Sequence, residues 1–260
     1  MTSSEKLTLS AYAIKLPLIK KGEKLVPLIV STLKEKGISL SRGDIIVIAS
    51  KALSASLGSR VKLASARPSS RASKLARDYG LEPHFVEFVV REAEKIYGGV
   101  PKAILTMKDG TLIANAGIDQ KNAGPGEAVI WPKDLDGHAD RVRKEFEGIV
   151  KKRLGVMIID SRTTPSRMGT TGFCLAASGF ETILDCRGKK DLFGKRLAIT
   201  RMAIADDLAA IAHLLMGEGA QRTPVAIIKN APIKLTLKKM SMSISPSEDL
   251  YMRIFNPEPK

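Results

Sequence analysis

Three short apolar runs constrain the fold of this chain more than any other sequence feature. They occupy residues 45–49, 156–159 and 224–228 and are rich in Val and Ile. Runs of this length and composition predict buried β-strands. The helical patterns between them follow no regular βαβ repeat, and neither a P-loop nor a Rossmann fingerprint is present. We therefore expect an α+β (mixed α/β) fold with a mixed or antiparallel sheet and flanking helices.

Weaker patterns divide the rest of the chain. The Asp-Gly pair at Asp109-Gly110 predicts a hairpin between residues 103–107 and 111–114. We expect one main unit over residues 7–230, either undivided or built as two interleaved lobes. A C-terminal extension, 231–260, should contain a short helix that starts at a capping box in 245–248. Further strands are expected at 7–14, 173–177, 180–184 and 196–204, and helices at 24–36, 68–80, from 82 onward, at 138–153 and at 206–216.

The composition of the chain limits which binding partners and which cellular compartment are expected for the protein. The 260 residues carry a net charge of +15, so an anionic partner is expected. Nucleic acid, small polyanions such as nucleotides, and a merely solvated basic surface all fit this charge, although no nucleic-acid-binding motif is visible. No run of about 18 apolar residues occurs, and the start 1–6 lacks the apolar core of a signal peptide, so a cytoplasmic protein is expected. The two cysteines, Cys174 and Cys186, are expected to be reduced core thiols.

Acidic residues follow three predicted elements. Asp119 comes after the second hairpin strand, Asp160 and Ser161 follow the run 156–159, and Glu218 follows a predicted helix. Each alone fits a turn or helix cap, because Asp favours such places. Together, in a basic chain, they predict a site where carboxylate oxygens hold Mg²⁺ or Mn²⁺ and the ion binds phosphate.

Several further motifs occur along the chain in a fixed order. They are Leu16-Pro17-Leu18-Ile19, residues 43–51, residues 115–119 with Asn122, the strand before Asp160, residues 188–194 and residues 214–219. In residues, order and spacing, these motifs resemble the coenzyme F420-0:γ-glutamyl ligase family over roughly residues 7–230. A match of several motifs in register is far more specific than one signature.

The resemblance implies a GTP-dependent ligase that adds L-glutamate to the lactyl carboxylate of coenzyme F420-0 through an acyl phosphate, releasing GDP. It also implies a homodimer, no membrane association, and two divalent ions, Mg²⁺ or Mn²⁺, with K⁺ as a further candidate. Asp119 and Asp160 would hold one ion, and Ser161 and Glu218 the other. The GTP would lie against Leu16, Pro17, Leu18, Ile19, Ser50, Lys51, Asn122, Met216, Gly217 and Gly219.

Two loops depart from the family pattern. Ala55 and Leu57 stand where the family usually has a lysine and an acid, and residues 161–164 lack its usual arginine, for which Arg162 and Arg167 are possible substitutes. These departures favour, as an alternative, a paralogous nucleotide-dependent ligase with a different acceptor. A non-catalytic nucleotide- or RNA-binding protein is the alternative from another class, against which the retained acids argue.

Overall fold

The computed structural model describes residues 8–255, which group into two compact units. Among these residues, one unit combines 8–58 with 132–240, and the other combines 59–131 with 241–255. Within the described residues, the helices are α1 (Leu25–Glu35), α2 (Ser50–Leu57), α3 (Ser70–Tyr79), α4 (Pro83–Glu92), α5 (Leu135–Val150), α6 (Ile204–Met216) and α7 (Met252–Phe255). The strands are β1 (Ser10–Ile14), β2 (Ile45–Ala49), β3 (Arg60–Lys62), β4 (Lys95–Val100), β5 (Ala103–Lys108), β6 (Thr111–Ala114), β7 (Glu127–Val129), β8 (Gly155–Arg162), β9 (Thr171–Ser178), β10 (Leu184–Asp185), β11 (Arg201–Met202) and β12 (Val225–Lys229).

A five-stranded mixed sheet in the order β1-β12-β2-β8-β9 forms the centre of the first unit. Its β2 and β8 strands are parallel, and every other neighbouring pair is antiparallel. The three apolar runs therefore form adjacent central strands, and the predicted α+β class with a mixed sheet is confirmed.

Burial on both faces explains why these strands are continuously apolar. Ile46 and Ile48 join residues of α1, α2 and α5 in one core cluster, while Ile45 and Val47, which point the other way, are also fully buried. A strand covered on one face only would show alternation of apolar and polar residues.

The second unit contains the three-stranded sheet β4-β5-β6, the short pair β3-β7, and helices α3 and α4. The turn between β5 and β6 has positive φ angles at Asp109 and Gly110, as the Asp-Gly pair predicts. Helix α4 begins at Pro83, and the Glu82 carboxylate caps it by accepting hydrogen bonds from the amides of His84 and Phe85. This unit encloses a separate core that includes Phe85, Ile104 and Ile118.

Two strand predictions were wrong. Residues 180–184 form only a single bridge, from Phe180 to Leu235, before the two-residue strand β10, because their backbone bonds to the segment near residue 234 and to the start of α6. Residues 196–204 form no long strand either. Their apolar side chains are not in the core, since Ile199 is 83% exposed, and α6 already begins at Ile204.

Other helices and strands begin or end a few residues away from their predicted bounds. The first strand begins at Ser10, while Leu7, the start 1–6 and the end 256–260 lie outside the described residues. Helix α5 begins at Leu135 rather than at 138, because the Asp134 carboxylate caps it through the amide of Gly137. The capping box at 245–248 forms a turn, and the short helix follows later as α7. No helix in residues 8–255 is both long enough and apolar enough to span a membrane.

Candidate functional site

The parallel pairing of β2 with β8 places Ser50 beside Asp160. Ala49 is in register with Ile159, so the next residue of each strand emerges at the same edge of the sheet. The Ser50 hydroxyl donates a hydrogen bond to Oδ2 of Asp160 at 2.6 Å, although 110 residues separate them in the chain. The amide of Ser161 donates to the other oxygen, Oδ1, at 2.8 Å. Both oxygens of the Asp160 carboxylate are thereby oriented.

The hairpin β8–β9 and helix α6 bring Glu218 to the same edge. Ser161 is in register with Gly172 on β9. Gly172 lets α6 approach closely, because a Cβ there would lie 2.3 Å from the carbonyl oxygen of Ala209 and 2.6 Å from Cβ of His213. Glu218 follows the end of α6, and its carboxylate accepts a hydrogen bond from the side chain of Ser161. Four predicted site residues are therefore linked: Ser50, Asp160, Ser161 and Glu218.

Two residues absent from the sequence prediction complete this cluster. Nε2 of His213 lies 2.7 Å from Oε1 of Glu218, and the Thr170 hydroxyl donates to the same oxygen at 3.1 Å. Partial burial raises the pKa of the Glu218 carboxyl, but the hydrogen bonds from His213, Ser161 and Thr170 outweigh it and lower that pKa to about 2. Glu218 is therefore ionised at neutral pH.

The donor set suits a hard divalent cation. It consists of the Asp160 and Glu218 carboxylates with the hydroxyls of Ser50, Ser161 and Thr170, all oxygen atoms. In residues 8–255, no group of three or more His, Cys, Asp or Glu side chains is arranged to hold a metal ion. A cation bound here would accordingly rely on hydroxyl, phosphate or water oxygens as well as carboxylates, as Mg²⁺ commonly does.

The two segments predicted to contact a nucleotide lie next to each other. The amide of Leu16 donates to the carbonyl oxygen of Arg222 at 2.9 Å, which ties residues 16–19 to the loop after α6. Leu16 and Ile19 are buried in the core, whereas Leu18 is 70% exposed. The backbone of this first segment is thus anchored by the buried side chains at its two ends.

The loop after α6 needs glycine at its first position. Gly217 has φ 71° and ψ 175°, a conformation essentially restricted to glycine. The Thr223 hydroxyl closes the loop by donating to the carbonyl oxygen of Met216 at 2.6 Å. Inside it, the amide of Gly219 donates to the side-chain oxygen of Gln221 at 2.8 Å. The sequence motif at 216–219 therefore corresponds to a compact, hydrogen-bonded loop.

Asp119 and Asn122 belong to the second unit. Asn115, Ala116 and Gly117 all have positive φ angles and form a left-handed turn, which Trp131 covers so closely that a Cβ on Gly117 would lie 2.3 Å from its ring. Asp119 follows this turn and pairs with Val129 through both backbone hydrogen bonds. Its Oδ1 accepts from the amide of Lys121 at 2.8 Å. Asn122 is exposed and also has a positive φ.

Helix α2 is not among the helices predicted from the sequence. It starts at Ser50, directly after β2, and its N-cap residue Ala49 has no side-chain oxygen with which to cap it. Lys51 is the second residue of this helix and is half-buried. The end of β2 is thus also a helix N-terminus, a favourable place for phosphate.

Arg162 is already engaged by structural partners. Its guanidinium contacts the Asp206 carboxylate at 3.1 Å and lies 4.8 Å above the ring of Phe173. Asp206 also accepts a hydrogen bond from the amide of Cys174 at 2.9 Å. The prediction that Arg162 substitutes for the arginine missing from loop 161–164 is therefore not supported by these contacts.

The chain is similar to a known protein family and to several individual proteins. The profile of the family F420-0:Gamma-glutamyl ligase matches residues 13–230. The chain is 34% identical over 238 residues to the coenzyme F420:L-glutamate ligase of Archaeoglobus fulgidus, which covers 92% of this chain and 94% of the relative. It is 36% identical over 250 residues to the enzyme of the same name from Methanocaldococcus jannaschii, covering 96% and 98%. For that of Methanothermobacter thermautotrophicus the identity is 36% over 218 residues, covering 84% and 86%.

Proposed function

Because this chain belongs to the F420-0:γ-glutamyl ligase family, we propose that it is a ligase that joins L-glutamate to the lactyl carboxylate of coenzyme F420-0. The relatives that carry the corresponding name match it over most of their length and most of its own. The structural observation that carries the proposal is the hydrogen-bonded cluster of Asp160, Ser161 and Glu218, with Ser50 as its fourth member.

Divalent cations, Mg²⁺ or Mn²⁺, form the first part of the proposal. Asp160, Ser161 and Glu218 would hold them, and K⁺ remains a further candidate. The assignment of Asp119 to the same function rests on the sequence motif. When bound, such ions neutralise charge on a transferring phosphoryl group and orient it. Ser50 and the amide of Ser161 orient the Asp160 carboxylate, so its oxygens need little rearrangement on binding.

GTP is the proposed phosphoryl donor. Its binding is supported by the joined segments 16–19 and 216–222 and by the N-terminus of α2 at Ser50 and Lys51. Backbone amides at a helix N-terminus attract phosphate oxygens, and a lysine nearby adds charge. The Ser50 hydroxyl is bonded to Asp160, so we assign this side chain to the carboxylate cluster and its backbone amide to the nucleotide.

The reaction requires activation of a carboxylate, because the oxygen of a carboxylate is a poor leaving group. We propose that a carboxylate oxygen of F420-0 attacks the γ-phosphorus of GTP, that the bond from this phosphorus to GDP breaks, and that an acyl phosphate forms. The neutral α-amine of glutamate then attacks the acyl carbon. A C–N bond forms, the C–O bond to phosphate breaks, and one proton leaves the nitrogen. Catalysis then consists mainly of positioning and electrostatic stabilisation.

The net charge of +15 fits these reactants, since GTP, F420-0 and the glutamate carboxylates are all anionic. A basic protein attracts anionic ligands and raises their rate of association. We accordingly expect the apparent KM for GTP and for F420-0 to rise with ionic strength.

One assay tests the proposal directly. The full chain is incubated with F420-0, GTP, L-glutamate and Mn²⁺, and the glutamylated product and GDP are measured by mass spectrometry. Asp160→Asn should abolish both products, whereas Glu181→Gln, which alters only an exposed ion pair with Lys234, should keep them. Absence of metal-dependent nucleotide binding in the unaltered chain would refute the proposal, and tight, salt-dependent RNA binding would favour the non-catalytic alternative.

A paralogue with a different acceptor is the second candidate. Ala55 has no charge and packs in the core, and the Arg162 guanidinium is engaged by Asp206, so Arg167 remains the candidate for the missing arginine. The same assay separates the two candidates, because metal-dependent GDP formation without glutamylated F420-0 would indicate another acceptor. A homodimer remains a prediction, which the molar mass in solution would test.

A further inference from the structure

We infer that His213 is a positioning residue that holds the Glu218 carboxylate in place for a divalent cation; this inference rests on the proposed function. His213 Nε2 and the Thr170 hydroxyl converge on one oxygen of Glu218, Oε1, at 2.7 and 3.1 Å. Because an ionised carboxylate only accepts hydrogen bonds, Nε2 carries the proton in this contact. His213 therefore acts through Glu218.

Glu218 needs such support because of its place in the chain. It follows Gly217, whose φ of 71° and ψ of 175° end α6, and its side chain is 39% exposed. A glutamate side chain at an exposed loop start has many rotamers, and restricting them on binding costs conformational entropy. A partner that fixes the carboxylate beforehand removes part of that cost.

His213 itself is rigidly placed. It lies in the last turn of α6, where its carbonyl oxygen accepts from the amide of Gly217 at 2.9 Å. Its side chain is only 18% exposed and lies against β9 at Gly172. Gly172 is in register with Ser161, which also bonds Glu218. The imidazole thus connects the packing of α6 on β9 to the orientation of the carboxylate.

A hydrogen bond that orients a metal ligand affects metal affinity measurably, even though its donor does not touch the metal. Removing a residue that orients a ligand typically weakens metal binding by about 10–100-fold, without removing any ligand atom. A structural histidine would behave differently, because its replacement would alter stability and leave the cation affinity of the folded protein unchanged.

Two opposite substitutions separate these roles. His213→Phe keeps a ring beside Gly172 and removes the donor, whereas His213→Gln loses the ring and keeps an N–H donor of similar reach. Binding of Mn²⁺ to the full chain is measured by electron paramagnetic resonance, together with the melting temperature. We expect His213→Phe to weaken Mn²⁺ binding by about 10–100-fold and His213→Gln to stay close to the unaltered chain. His84→Ala, on α4 of the second unit, is the control that should leave Mn²⁺ binding unchanged, although it removes a contact with Glu82.

Each contrary outcome has a defined meaning. Normal Mn²⁺ affinity in His213→Phe, or loss in His213→Gln alone, overturns the positioning role. Normal affinity in Glu218→Gln together with loss in His213→Phe would make His213 the ligand and also overturn it. If His213→Phe does not fold, His213→Met, which also removes the N–H donor, replaces it, and unchanged affinity in that variant refutes the inference. Absence of Mn²⁺ binding by the unaltered chain would instead refute the metal use in the proposed function.

Discussion

Replacing Gly172 by alanine is expected to move α6 away from β9 and to disturb the Glu218 carboxylate. A methyl group there would lie 2.3 Å from the carbonyl oxygen of Ala209, a backbone atom that cannot rotate aside, and 2.6 Å from Cβ of His213. Overpacking of this kind costs about 1–3 kcal/mol of unfolding free energy. For a chain of this size, each kcal/mol lowers the melting temperature by about 2–4 °C. Mn²⁺ binding should weaken in parallel, since His213 and Glu218 move with α6.

The control for this prediction is Gly148→Ala. Gly148 lies in α5, and a Cβ built on it meets no atom within 4 Å. Alanine in a helix interior is favoured over glycine by about 0.5–1 kcal/mol, so this variant should be slightly more stable. Thermal unfolding and Mn²⁺ titration of both variants provide the test. If Gly172→Ala melts at or above the unaltered chain and binds Mn²⁺ equally well, the close approach of α6 to β9 does not support the site as argued.

Three further outcomes are expected. Asp119→Asn should abolish turnover without changing the melting temperature, because asparagine keeps an oxygen for the local backbone hydrogen bond and loses the charge; near-normal turnover would remove Asp119 from the metal site. Cys174 and Cys186 are buried, and burial raises the pKa of the Cys174 thiol, so a thiol reagent should label neither in the folded chain and both in denaturant; rapid labelling of native protein would contradict this. Hydrogen bonds, above all from Lys144, hold the pKa of the Asp140 carboxyl well below its usual range. Asp140→Asn should therefore lower the free energy of unfolding by about 1.5–3 kcal/mol at pH 7. This difference should shrink below about pH 4, because protonation of Asp140 removes the same stabilisation from the unaltered chain. Equal stability at pH 7 in urea denaturation would refute the last prediction.

The sequence predicted features whose cause is local. The runs at 45–49 and 225–228 form strands because their side chains are continuously apolar, and Asp109-Gly110 forms a hairpin turn because both residues accept positive φ. Asp160, Ser161 and Glu218 could be proposed from motifs. That these residues lie close together could not be predicted, because their proximity depends on the register of β2 with β8 and on the packing of α6 against Gly172.

Features that depend on tertiary contacts were missed. Helix α2 contains three serines in eight residues, and serine disfavours helix interiors because its hydroxyl competes for backbone groups. Burial of Ala52 and Leu53 in the core stabilises this helix nevertheless, and the Ser56 hydroxyl bonds to the carbonyl oxygen of Leu53. Thr170 and His213 carry no motif of their own. The only sequence signal for His213 is its spacing from Glu218. It lies in the last turn of the predicted helix, and a glycine separates that helix from Glu218.

The position of β12 between β1 and β2 determines when the first unit can be completed during synthesis. Strand β1, Ser10–Ile14, has its partner in Val225–Lys229, which is synthesised much later. Until that strand emerges, β1 lacks its partner and β2 pairs on one side only, and unpaired strand edges promote association between nascent chains. A truncation before residue 225 should therefore aggregate rather than yield a smaller folded protein. The carboxylate cluster likewise cannot assemble until α6 and Glu218 have been made.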